Sequence, residues 1–124
     1  MRKLTDHIVT GDSANHQVSI AVLDGPGQGG ACHEYRVAWA DLTGAPREVD
    51  IHFQNGPIKE YGVNGLTHEA LLAIVIDRLR SFQAGPYACE ANDVALVNIQ
   101  TALISLQLRT RERIARGVEG THQK

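Results

Sequence analysis

One helix dominates what this chain can become. Asn92, Leu96, Ile99, Leu103, Leu106, Thr110 and Arg113 fall at alternating steps of four and three. That is a heptad-like seam, polar at both ends and apolar between. Val97, Ile104 and Leu108 add an apolar flank. The spacing predicts a helix from near Cys89 to about Arg116, where Gly117 stops it. At a rise of ~1.5 Å per residue it is roughly 42 Å long. A seam of this kind needs a partner, and the preceding residues offer one. Thr67 is a good N-cap and Glu69 suits the first turn of a helix that Gly85-Pro86 ends. Leu72, Val75, Ile76, Leu79 and Phe82 form its stripe, while Leu71 and Ile74 give it a second apolar face. The short connection makes the two helices antiparallel neighbours. Since the first spans only about 27 Å, the second overshoots it by Leu108 to Arg116.

The first half has a different period. Gln17 to Leu23 alternates at Val18, Ile20 and Val22; His33 to Ala40 puts Tyr35, Val37 and Trp39 on one face; Arg47 to Gln54 does the same with Val49, Ile51 and Phe53. Three such runs with Gly- and Pro-rich breaks read as an antiparallel sheet with one wet face. Asn55-Gly56 is a turn pair, and Pro57 to Val63 is expected to add a short fourth strand. Residues 1–16 show no period and are expected to be a loose lead-in. The expected fold is α+β in a single domain, 1–124: an antiparallel sheet over 17–63, a helical hairpin over 67–117 and a short polar tail over 118–124. A chain of 124 residues fits one domain.

Composition excludes several classes. With 12 Lys and Arg against 14 Asp and Glu, the chain is a poor candidate for coating DNA or RNA. It has no run of about 18 apolar residues that would span a membrane. Met1 to His7 lacks the apolar stretch of a secretory leader. Cys32 and Cys89 make no disulfide framework and read as free thiols in a reducing cytoplasm. The glycines at 25, 27, 29 and 30 join two strands without a Gly-Lys-Ser/Thr ending, so they read as a hairpin loop and not a phosphate loop. No His-Glu-x-x-His, nucleophile elbow or paired-cysteine zinc pattern occurs, so neither catalytic nor metal-binding residues are expected, and no cofactor. Asp50 and His52 face the same way on a strand, which more often marks a wet sheet face than a catalytic dyad.

What remains is the overshoot. Arg109, Arg111, Arg113 and Arg116 lie there with no Lys among them, and Arg109, Arg113 and Arg116 share one helix face. Arginine forks match phosphate oxygens. Two readings stand: a solvated helix end that offsets the C-terminal dipole, or a site for a small anion. The overshoot is outside the hairpin core, so replacing Arg109 or Arg113 is expected to spare the fold. Phe82 and Tyr87 flank the interhelical turn, where they either close the hairpin core or stack on a base.

Certain strings are more particular than these patterns: Gly56-Pro57-Ile58, Tyr61-Gly62-Val63-Asn64-Gly65-Leu66-Thr67-His68-Glu69-Ala70-Leu71-Leu72, Asp77-Arg78-Leu79, Phe82-Gln83-Ala84-Gly85, Cys89-Glu90-Ala91-Asn92, Arg109-Thr110-Arg111-Glu112-Arg113 and Gly117-Val118-Glu119-Gly120-Thr121. Together they resemble the phage Thoeris anti-defence protein one family, and the hairpin is similar to that of the anti-CBASS protein two sponges. The resemblance covers about residues 55–122. It implies a sponge that binds and sequesters a cyclic ADP-ribose isomer, made by a TIR-domain enzyme in the bacterial host cytoplasm, without cleaving it. It implies a homo-oligomer, a dimer or a hexamer, with cyclic di- or trinucleotides as further ligands at a second site. Carried over motif by motif, Phe82 stacks on the adenine, Asn92 hydrogen-bonds the ligand, and Arg109 and Arg113 hold the pyrophosphate. The competing readings are a sponge mainly for cyclic oligonucleotides, an enzyme that degrades such signals, and a purely structural hairpin.

Overall fold

A computed structural model describes residues 1–124. The chain divides into two compact units, Met1–Gly56 with Val63–Gly65, and Pro57–Gly62 with Leu66–Lys124.

The first unit is a four-stranded antiparallel meander of β1 (Arg2–Leu4), β2 (Ser19–Val22), β3 (Glu34–Ala40) and β4 (Pro46–His52), in the spatial order β1-β2-β3-β4. The three alternating runs are strands, trimmed at their ends. The pairings Val22↔Tyr35 and Tyr35↔Ile51 bring the apolar alternation into line across the sheet. Val22 is 1% exposed, and Tyr35 meets Phe53 edge-on with centroids 5.5 Å apart. The opposite face is wet. Arg36 forks onto Asp50 at 2.8 and 3.0 Å and also pairs with Glu48, while His52 pairs with Glu34. The Arg36 bond holds the Asp50 carboxyl below its usual range. Asp50 and His52 are therefore each engaged by a different partner and form no dyad.

Two expectations are corrected. The lead-in is not loose at its start: Arg2–Leu4 pairs with β2 as the edge strand, and His7 Nε2 lies 2.6 Å from the Val18 carbonyl. The fourth strand is thus at the N-terminus, and Pro57 to Val63 does not supply it. That stretch holds a single helical turn, α1 (Ile58–Tyr61), in the second unit. Pro57, with φ −64, precedes it as N-cap, and Gly62, with φ 71, ends it.

Asn64 closes the first unit. Its side chain accepts from Asn55 N at 2.8 Å and donates to Asn55 O at 2.8 Å, and its own N–H donates to Gln54 Oε1 at 2.9 Å. At Gly65 an added Cβ would fall 2.5 Å from the Phe53 carbonyl carbon and 2.7 Å from Gln54 N. Only glycine fits there, which explains the Asn64-Gly65 part of the motif as structural.

The second unit is built on a hairpin of α2 (His68–Gln83) and α3 (Glu90–Ala115). Thr67 Oγ1 accepts from Ala70 N at 3.1 Å, so the expected N-cap forms. Gln83 stitches the turn: its amide donates to Cys89 O at 3.0 Å and accepts from Cys89 N at 3.1 Å. On α3 the seam residues from Asn92 to Arg113 are all more covered than the exposed flank of Val97, Ile104 and Leu108. On α2 the covered stripe is Leu72, Ile76, Leu79 and Gln83, rotated away from Val75 and Phe82. Ile76 is 3% exposed, and it is the one buried apolar residue of the two helices. No helix is long and apolar enough to cross a membrane.

Candidate functional site

Helix α3 ends in a capping pattern that shapes everything near it. Gly117 takes φ 73, its N–H donates to Ile114 O, and Val118 N–H reaches back to Arg113 O. These are the two bonds of a Schellman motif. The chain then turns back over Arg113. The guanidinium donates from Nε to Glu119 Oε2 at 3.2 Å, from Nη1 to Gln123 O at 2.6 Å, and from Nη2 to Val118 O at 3.0 Å and Thr121 O at 3.1 Å. Four of its five N–H groups are engaged, and the residue is 7% exposed. The tail is docked further by Lys59 N–H to Gly120 O at 2.9 Å and by His122 Nδ1 at 3.2 Å from Glu60 Oε1. Arg113 therefore anchors the tail. The sequence reading sets Arg113 apart from the packed structure; the contacts place it under the returning tail instead, which sequence spacing does not show.

The other arginines of the overshoot differ. Arg116 pairs with Glu112 one turn earlier. Arg109 and Arg111 are exposed and pair with no carboxylate. Arg109 is thus an uncommitted cation one turn from the docked tail.

Phe82 and Asn92 lie at the other end of the hairpin. They share a shallow hollow of about 300 Å³ with Val75, Arg78 and Leu79. Phe82 is 36% exposed, so part of its ring stays open to solvent. Behind it a larger open hollow of about 520 Å³ includes Ile74, Asp77, Ser81 and Tyr87, and Arg78 and Phe82 line both. The Arg78 guanidinium carbon sits 5.1 Å from the Phe82 ring centroid. That pair stands i, i+4 on one helix, a spacing that faces side chains together and that the sequence reading passed over.

The single chain joins Phe82 with Asn92 and does not join them with Arg109. Asn92 and Arg109 are seventeen residues apart on α3, or about 25 Å along its axis. No three His, Cys, Asp or Glu side chains come together to hold a metal ion. What the surface offers is an aromatic ring, an amide and Arg78 at one end, and the unpaired Arg109 and Arg111 at the other.

The hairpin-domain family described as Acb2/Tad1 matches residues 45–111, from the start of β4 through most of α3. The chain belongs to that family. A curated relative, Thoeris anti-defense 1 of Bacillus phage SBSphiJ7, is 42% identical over 98 residues. The match covers 79% of this chain and 66% of that relative, so the chain spans just under two thirds of its length. Within the family match, the two strings with the clearest structural cause are Asn64-Gly65, at the closed approach to Phe53, and Gln83, at the interhelical turn.

Proposed function

We propose that this chain is a phage anti-defence sponge that binds and sequesters a cyclic ADP-ribose isomer without degrading it. Support comes from its family, from the name of its relative, and from one observation above all. Phe82 is held at the surface beside Asn92, on a helix where the stripe turns it out of the core. An exposed ring next to an amide suits a base that is stacked and then hydrogen-bonded at its edge. Phosphate oxygens suit arginine forks, and Arg109 carries one. Arg113 contributes by fixing the tail beside Arg109, with one N–H left over from its tail contacts.

The separation along α3 means that the two ends serve one ligand only if two chains meet. In this reading two hairpins pack antiparallel, and each places its Arg109 end against the other's Phe82 and Asn92. A two-fold axis then makes two equal sites. Val94, Val97, Ile104 and Leu108 form an exposed apolar strip along α3 that such packing would cover. The protein works in the cytoplasm of the infected host, where the signal is made.

The test is binding followed by release. Cyclic ADP-ribose isomers are incubated with the protein, free ligand is removed, and the complex is heated. A sponge returns the ligand with its mass unchanged. Degradation products would show an enzyme, and no retained ligand would leave a structural hairpin. Cyclic di- and trinucleotides run in parallel; their retention in place of the cyclic ADP-ribose isomers would replace the ligand named here.

A further inference from the structure

The residue that joins the two hollows at Phe82 is Arg78. It is exposed, pairs with no carboxylate and lies with its guanidinium carbon 5.1 Å from the Phe82 ring centroid. A solvated surface arginine usually finds an acidic neighbour or stays extended in water. Of the nine arginines, Arg36, Arg47, Arg113 and Arg116 have carboxylate partners; Arg2, Arg80, Arg109 and Arg111, like Arg78, have none, and Arg78 alone lies over an aromatic ring. That arrangement orients its planar fork and leaves its N–H edges open.

That placement has two consequences. The guanidinium covers one face of Phe82, so a base that stacks on the ring takes the other. The fork then stands at the rim of the same stack, within reach of groups attached to the sugar. A dinucleotide-type ligand with a pyrophosphate carries two phosphate charges. At the far end Arg113 is withdrawn into the tail, which leaves Arg109 and Arg111 exposed, with Arg109 the one that stands on the same helix face as Arg113. We infer that Arg78 is a second phosphate-binding cation of the site, supplied by the Phe82 half and held ready by its stack on the ring. This rests on the reading that the hairpin binds a phosphorylated cyclic nucleotide at Phe82.

The experiment measures affinity by calorimetry for a panel of cyclic ADP-ribose isomers, at about 50 and about 300 mM NaCl, with wild type, Arg78→Met and Arg78→Lys. A cation that meets phosphate in partly exposed surroundings is weakened by salt, while a purely apolar support is not. Arg78→Met is expected to bind about ten-fold weaker at low salt, with a shallower fall as salt rises. Arg78→Lys keeps the charge without the fork, so it should restore the steep salt dependence and part of the affinity. Arg78 is exposed, so all three proteins should melt together. Equal affinity for wild type and Arg78→Met overturns the inference. So does a loss that is the same at both salts with Arg78→Lys no better than Arg78→Met, which would make Arg78 a support for the ring alone. If wild type binds no isomer in the panel, the sponge reading fails and this inference with it. If wild type binds and Arg78→Met matches it, the sponge reading stands and only the inference fails.

Discussion

Replacing Arg113 by alanine should unlock the tail and destabilise the hairpin unit. Four donated bonds vanish together, three of them to backbone carbonyls of Val118, Thr121 and Gln123 and one to Glu119. A hydrogen bond to a charged group contributes about 1.5–3 kcal/mol. The four do not add, because the freed carbonyls regain water once the tail lifts. The loss is therefore capped by the docking free energy of the tail, about 2–4 kcal/mol. For a chain of this size that lowers the melting temperature by about 8–15 °C. Hydrogen exchange reads the same event locally. The Lys59 N–H, which donates to Gly120 O, and the Val118 N–H, which donates to Arg113 O, should lose protection. Arg113→Lys keeps the charge but cannot make the fork, and should recover less than half of the loss. A melting temperature unchanged within about 2 °C, with the Lys59 amide still protected, would refute the anchoring role.

Further outcomes are expected elsewhere. Gly65→Ala forces a methyl group against the backbone of Phe53 and Gln54 and should cost about 1–3 kcal/mol in urea unfolding; a neutral result would contradict the close approach. Phe82→Leu should weaken ligand binding by about 1–3 kcal/mol while barely moving thermal stability, because the ring is part exposed, and unchanged affinity would return Phe82 to a packing role. The sheet unit should weaken in acid. Burial raises the Asp24 carboxyl, but the His33 and Glu34 N–H bonds outweigh it, and Asp41 is lowered by the Thr43 hydroxyl and the Ala45 N–H, both from an ordinary value of 3.8. A carboxyl lowered in the folded state stabilises above its unfolded pKa and loses that contribution as pH falls through the folded one. Unfolding curves should therefore be flat down to about pH 4 and fall below it, with a smaller fall in Asp24→Asn.

Local periodicity carried much of this fold because the signals were local. Val22, Tyr35 and Ile51 lie on the faces that their alternation predicts, and α3 covers the seam that its four-three spacing predicts. Thr67 caps α2 as its position before an apolar run suggests. The misses have physical causes too. Arg2–Leu4 is three residues long and alternates too briefly to be seen, so its strand exists only through pairing with β2. Ile58–Tyr61 is one turn, shorter than any helical period. On α2 a rotation of the covered stripe toward Gln83 puts Phe82 at the surface, a difference that depends on how α3 packs. The arginine-only face was visible in sequence. That one of its members turns inward to a returning tail was not, because Gln123 and Arg113 meet through a turn whose direction no spacing encodes.

The shared site is the claim on which the account rests most heavily, and one mixing experiment addresses it. Asn92→Ala damages one end of the hairpin and Arg109→Ala the other, and neither residue has an ion pair to lose. Each variant alone should bind a cyclic ADP-ribose isomer poorly. When the two are unfolded together and refolded, half-and-half dimers carry one doubly damaged site and one intact site. Calorimetry of that mixture should show wild-type affinity at a fraction of the full stoichiometry. Mixed dimers confirmed by mass spectrometry, with no return of tight binding, would contradict the account.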